Sequence, residues 1–275
     1  MVAVVTDSAA SLPPEMADEL GIEVVPIHLT MAGGSLRDDL DTSRVYEELR
    51  KGSEVPRTST PSPGDFVQAF ERTGAAEVAC VTVASSLSGI LQAATVAAEH
   101  STRRVRVIDS GNASMAEGFV AIEAARAART GAGLRDVAAR AAIVASQTRL
   151  VGTVPTLEYL RRSGRLNPLL SYLATAVGIK PVFRLSQGRI EARGRPRTRS
   201  RAMDQLVEEV EADAAGRPVH LAAVHAAAPD EAADLLVRAS ARLEVKESHV
   251  AGFSAALGAH TGPGLVGLAW FAEDR

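Results

Sequence analysis

Residues 78–108 constrain the fold more than any other stretch of this chain. The apolar run 78–83 reads as a buried strand, 90–98 as a helix with an apolar stripe, and 105–108 as a second strand. The same alternation runs through the first half. Residues 2–5 and 23–29 read as strands. Between them lies a helix with Ser11 as its cap, Pro13 and Pro14 near its first turn and Gly21 as its stop. Gly33-Gly34 through Asp41 reads as a polar loop, and 45–49 as part of a short helix. Ser62 opens another helix with Asp65 three residues on, and Ser114 with Glu117 repeats that capping spacing before an alanine-rich helix ending near Arg129. Strands alternating with helices of this length predict a mostly parallel sheet covered on both faces.

Near residue 150 the pattern changes. Residues 156–160 predict a short helix, and 181–185 and 189–191 flank Gln187-Gly188 as a hairpin. A helix over 200–214, a strand over 219–224, a helix over 230–243 and strands near Val250 and over 265–271 complete the chain. The reading is an α/β protein of two domains: 1–150 with a parallel sheet, and 151–275 of mixed α+β character. A length of 275 residues accommodates both.

Composition narrows the function. The net charge of −3 gives no reason to expect nucleic acid or an anionic membrane as the main partner. Aromatics make up only 4% of residues, so Ala, Val, Leu and Ile must build the core. Cys80 is the single cysteine, which excludes an internal disulfide and points to a reducing compartment; within its apolar run a buried role is expected. No basic start or long apolar region marks a signal peptide, and no apolar stretch reaches the ~18 residues of a membrane span. A soluble, cytoplasmic protein is expected.

Two hydroxyl-rich segments carry the candidate chemistry. Ser85-Ser86-Leu87-Ser88-Gly89 sits on a strand-to-helix turn, where free N–H groups and the helix dipole suit an anion. No lysine or arginine lies within it, and simple helix capping would use the same residues. Arg57-Thr58-Ser59-Thr60-Pro61-Ser62 is a second such turn, and the two could converge at the carboxyl ends of neighbouring strands. His260 lies in a glycine-rich loop, Gly258-Ala259-His260-Thr261-Gly262-Pro263-Gly264. The Gly262–Gly267 spacing mimics a dinucleotide fingerprint but has no room for the βαβ unit and acidic residue that should follow. No histidines pair at metal-ligand spacing, so no metal is expected. Ser88, His260 and Asp7 or Asp109 are the residue types of a serine hydrolase, yet no G-x-S-x-G elbow is present.

Taken in order, Thr6-Asp7-Ser8, Thr58-Ser59-Thr60-Pro61-Ser62, Ser85-Ser86-Leu87-Ser88-Gly89, Ile108-Asp109-Ser110, Leu157-Glu158-Tyr159-Leu160, Gly164-Arg165, Lys180-Pro181 and the His260 loop resemble DegV-type fatty-acid-binding proteins. The resemblance covers almost the whole chain. It implies the two-domain DegV-like (EDD) fold, with the first domain carrying carboxylate-binding turns and the second closing a lipid tunnel. It also implies a long-chain fatty acid ligand of the palmitate, stearate or oleate kind, no cofactor, and no catalysis by the chain itself. A fatty acid kinase catalytic subunit is the implied protein partner, with transient membrane contact for lipid exchange. Thr58 and Ser88 would hold the carboxylate, with Ser59, Ser86 and Gly89 beside them and Arg165 and His260 near the head group. Ala84, Ile90, Ser163 and Asp39 depart from the usual family pattern. Two other functions compatible with these residues are an acyl hydrolase or transferase using Ser88, and a lipid sensor whose occupancy alters a protein contact.

Overall fold

The computed structural model describes residues 1–31, 34–37, 42–51, 56–164 and 178–273. The first half runs β1 (Val2–Asp7), α1 (Pro14–Leu20), β2 (Ile22–Val25), β3 (His28–Met31), β4 (Gly34–Arg37), α2 (Thr42–Arg50), β5 (Arg57–Ser59), α3 (Pro63–Arg72), β6 (Glu77–Thr82), α4 (Ile90–His100), β7 (Arg104–Asp109), α5 (Met115–Arg129) and α6 (Leu134–Gln147). The second half runs β8 (Arg149–Thr153), α7 (Glu158–Ser163), β9 (Val182–Ser186), β10 (Arg189–Gly194), α8 (Arg199–Ala214), β11 (Val219–His225), α9 (Pro229–Ser240), β12 (Val245–Gly252), α10 (Ala255–Thr261) and β13 (Val266–Ala272).

These strands make a parallel sheet ordered β2-β1-β6-β7, a mixed six-stranded sheet ordered β10-β9-β8-β13-β11-β12, and a small antiparallel sheet ordered β4-β3-β5. The protein is thus α/β with a parallel first sheet and a mixed second sheet, as the alternation of apolar runs predicts. The apolar run at 78–83 pairs on both sides, with β1 and with β7, which is why it shows no polar alternation.

Helices α5 and α6 lie between the two large sheets. Nearly every residue of α5 is buried, and it packs on β1 from one side and β13 from the other. That explains its alanine-rich, low-contrast sequence, since a helix covered all round has no polar face. Helices α3 and α4 pack against the parallel sheet, and α8 and α9 against the far face of the mixed sheet, where Trp270 is fully buried. One apolar cluster runs without interruption from Val4 and Val81, through Phe119 and Ile122, to Leu185 and Phe271.

Several local expectations need correction. The strand expected over 23–29 is two strands in different sheets, because Pro26 has no N–H to continue the ladder. Arg57–Ser59 is a strand paired with β3, not a turn. Within the loop expected at 33–41, residues 34–37 form β4, while 32–33 and 38–41, including Asp39, lie outside the described residues. Ser11 does not cap α1: it sits at φ 51° and closes the short 3-10 turn Ser8–Ala10. Ser114 makes no side-chain cap. Its N–H donates to Ala9 O, and Glu117 turns inward to accept from Thr6. The capping box at Ser62 and Asp65 does form.

A partly buried ionic network fastens helix α5 to the mixed sheet at the edge remote from β10. Arg126 of α5 makes a bidentate pair with Glu247 of β12, at 2.8 and 2.6 Å. His220 stacks on Phe271 and approaches the same carboxylate at 2.7 Å. Burial opposes the ionisation of Glu247, but the Arg126 and His220 hydrogen bonds outweigh it and hold its carboxyl well below the ordinary glutamate range. Its folded pKa being depressed, this pair stabilises the protein above pH ~4.3 and the contribution is lost as the pH falls further. Replacing Glu247 by alanine is expected to cost about 1–3 kcal/mol at pH 7, less than a fully buried pair, and to shrink the loss of stability below pH 4. Urea unfolding at pH 3.5 and 7 measures both.

Candidate functional site

The connections leaving β1 and β6 run to opposite sides of the parallel sheet, so their carboxyl ends form a switch point, the usual ligand crevice of such sheets. The Thr6-Asp7-Ser8 segment builds its floor, and all three residues are buried. Asp7 spans the crevice, its carboxylate accepting the N–H of Ala9 at 2.9 Å and of Val83 at 2.9 Å. Ser8 Oγ accepts from Ile27 N at 3.0 Å. Thr6 donates to Glu117 Oε1 at 3.2 Å.

Above this floor is a cavity of about 150 Å³, room for about five waters at their liquid share of roughly 30 Å³ each. Its walls are mainly aliphatic: Ala9, Val83, Ile90 and Ala113 come from the connections at the carboxyl ends of β1, β6 and β7 and from the start of α4, while Leu150, Phe183, Leu185 and Ile190 come from the mixed sheet. The polar lining consists of Thr58, Ser59, Thr60, Ser88, His260 and Thr261, with no charged side chain among the described lining residues.

These polar groups come together from three segments: β5 with the residue after it, the 85–89 turn and the last helix before β13. Thr58 stands opposite Leu29 in the β3–β5 register and turns inward with it, while Ser59 is exposed at the rim. His260 Nε2 lies 2.9 Å from Thr58 Oγ1. The loop expected around this histidine is instead the helix α10, capped by Ser254, whose hydroxyl accepts from Leu257 N. Glycine is required where α10 packs, since a Cβ at Gly258 would overlap the Tyr46 ring and one at Gly262, φ +75°, the Tyr159 ring. Tyr46 of α2 in turn donates to Phe253 O at 3.3 Å, just ahead of α10, and Tyr159 of α7 donates to Leu49 O of α2 at 3.1 Å, so the two rings that pack on α10 are themselves held.

In the 85–89 turn the helix cap is Gly89, with no side-chain capping bond, so no serine of this turn is consumed in closing α4. Ser88 lines the cavity, and Gly89 lies close to Thr60, whose Oγ1 would be 3.7 Å from a Cβ there. Ser86 is not in the cavity wall: its hydroxyl donates to Gly188 O at 2.7 Å, across to the mixed sheet. Ser85 N–H points to Asp109 at 3.3 Å from each carboxylate oxygen, and Gly111 N–H to the same group at 2.8 Å. The two carboxylates of the hydrolase alternative, Asp7 and Asp109, are both engaged by main-chain N–H groups. Arg165 lies outside the described residues. Thr60, Thr261 and the structural work of Asp7 escaped the residue-level reading; the hydroxyl run containing Thr60 was the available signal.

Charge in the floor is unusual. Burial is the main cause that pushes the Asp7 carboxyl up from 3.8 to about 6, against the lowering effect of the two N–H bonds. Burial first, and then the charge of Asp7, push Glu117 well above the ordinary glutamate value, so Glu117 is the neutral partner. Burial likewise keeps the Cys80 thiol protonated. Since the folded pKa of Asp7 is raised, its contribution is most favourable below pH ~4 and is lost as the pH rises through about 6. The unfolding free energy is therefore expected to decline between pH 4 and 6, and this decline should be smaller in Asp7→Asn. Denaturant titrations across that range test it, and equal slopes in the two proteins would contradict the assignment.

Among the described residues no helix is long and apolar enough to cross a membrane, and no group of three or more His, Cys, Asp or Glu is placed to hold a metal. The chain is 38% identical to a DegV domain-containing protein of Streptomyces coelicolor, over 97% of each chain. Its structure superposes on that of a fatty acid binding DegV family protein from Thermus thermophilus with a TM-score of 0.92, at 31% identity and covering 99% of each chain. The structure of DegV from Bacillus subtilis, a fatty acid binding protein, is similar at a TM-score of 0.88 and 30% identity, again over 99% of each. The family model described as "Uncharacterised protein, DegV family" matches residues 1–273, and the chain belongs to the DegV family.

Proposed function

We propose that this protein binds a long-chain fatty acid, of the palmitate, stearate or oleate kind, in the cavity between its two large sheets. The observation that carries this reading is the division of the cavity lining into apolar walls and a cluster of hydroxyls with one imidazole, with no lysine or arginine among the described lining residues. Burying an acyl chain is worth ~0.8 kcal/mol per methylene, so ~14 methylenes supply on the order of 11 kcal/mol before ordering costs. The tail then provides affinity and the head group needs only orientation.

With the proton on Nε2, His260 donates to Thr58, which frees the Thr58 hydroxyl hydrogen for a carboxylate oxygen; Ser88 supplies a second donor from the facing turn. Ser59 and the N–H groups beginning α4 after Gly89 complete the rim, and Arg165 stands by the resemblance as a further head-group residue. Residues 1–150 carry the carboxylate-binding turns and 151–275 close the tunnel. Neutral donors leave the carboxylate more nucleophilic than a bidentate guanidinium clamp would. This suits a carrier that presents the acid to a fatty acid kinase subunit for acyl-phosphate formation and exchanges its lipid during brief membrane contact in the cytoplasm. No catalysis by the chain itself is required, and with Asp7 and Asp109 committed to main-chain bonds a Ser88 triad has no obvious acid.

Native mass spectrometry with lipid extraction is expected to find one acyl chain per protein, and a preparation that neither carries nor takes up one would refute the reading. Thr58→Ala and Ser88→Ala should each weaken fatty acid affinity about tenfold, the loss of one hydrogen bond to a charged group. Titration calorimetry measures this, and unchanged affinity in both would remove the head-group assignment.

A further inference from the structure

The tip of the β9–β10 hairpin is docked onto the serine turn. Gln187 and Gly188, at φ 48° and 72°, form its two-residue turn. Gly188 accepts from Ser86 Oγ at 2.7 Å and donates its N–H to Gly111 O at 2.7 Å. The fit is close: a Cβ on Gly111 would lie 3.0 Å from Gln187 Cα, and one on Gly188 3.1 Å from Ser86 Oγ. Asp109 underlies both halves of this dock, since its carboxylate receives the N–H groups of Ser85 and Gly111.

The strands that leave the tip form one apolar wall of the cavity, through Phe183 and Leu185 on β9 and Ile190 on β10. β10 is an edge strand with β9 as its single partner in the sheet, and its residues alternate between exposed and half-buried. Moving the hairpin as a unit breaks the single β8–β9 ladder and the Arg193–Glu209 and Gln205–Arg193 contacts to α8, and the tip bonds to Ser86, Gly111 and Ser146 resist that motion. Ser86 is two residues from Ser88, so one short turn faces the head group with one hydroxyl and grips the tail wall with another.

We propose that the β9–β10 hairpin is a flap over the acyl chain and that Ser86 is its latch, a positioning residue and not a ligand contact. This rests on the fatty acid reading above. A flap that must open for passage multiplies uptake and release by the same opening equilibrium, so weakening the latch accelerates both and leaves the dissociation constant nearly unchanged. A direct carboxylate contact behaves differently, because its loss raises release alone.

Stopped-flow uptake and displacement of a fluorescent long-chain fatty acid, on the full chain, separates the two for wild type, Ser86→Ala and Ser86→Thr. Ser86→Ala is expected to raise both rates about fivefold, for a hydrogen bond of ~1 kcal/mol, with Kd within about twofold, and Ser86→Thr to restore them. Hydrogen exchange at the Gly188 amide should accelerate in Ser86→Ala alone. A rise in Kd carried by release alone, or unchanged rates with unchanged Gly188 protection, overturns the latch. If the wild-type protein takes up no fatty acid, the binding reading fails, whereas the Gly188 exchange comparison still decides whether Ser86 holds the hairpin.

Discussion

The apolar layer shared by the two large sheets is the constraint on which the rest of the structure depends. Among the described residues neither sheet has an inner helical layer of its own, so α5 and α6 serve both, and the parallel sheet and the mixed sheet become faces of one interior. Close packing fills that interior along α5. It stops short where the carboxyl ends of β1 and β6 meet β8, β9 and β10, and there the cavity opens. The lining is aliphatic because it is continuous with the core, and polar where loops and the short β4-β3-β5 sheet reach its rim.

Asp7 has a structural part in this that its position in a ligand crevice would not suggest. Two main-chain N–H groups from opposite sides of the switch point converge on its carboxylate, while Glu117 lies beside it in a fully buried setting. A charged acceptor in such a place is costly, which its raised pKa reflects, yet it fixes both Ala9 and Val83 in the cavity wall. Thr6-Asp7-Ser8 therefore acts as a frame under the site. The hydroxyls that face the cavity come from elsewhere.

Hydroxyl groups that look alike in sequence have separate work. Ser85 offers its N–H to Asp109, Ser86 holds the hairpin tip, and Ser88 lines the cavity, all within four residues. Thr58 faces inward with Leu29, whereas Ser59 beside it faces out. Strand alternation and turn geometry make these distinctions, and composition is blind to them.

Much of the architecture was legible in the sequence, because burial on both faces of β1 and β6 leaves unbroken apolar runs and because caps at Ser62 and Gly21 follow local rules. The hairpin at Gln187-Gly188 was equally plain, since a two-residue turn needs positive φ. The strand Arg57–Ser59 and the helix Ala255–Thr261 were not: three polar residues show no alternation, and a run of Ala and Gly shows no apolar stripe, so tertiary partners decide their conformation. The α/β class, the two hydroxyl-rich segments and the kinship carried by motifs in order follow from the sequence alone. It takes the packed chain to bring Thr58 to His260 across 202 residues, to turn Ser86 away from the cavity and to leave α4 without a serine cap. Such contacts join segments remote in the chain, and no local preference encodes the distance between them.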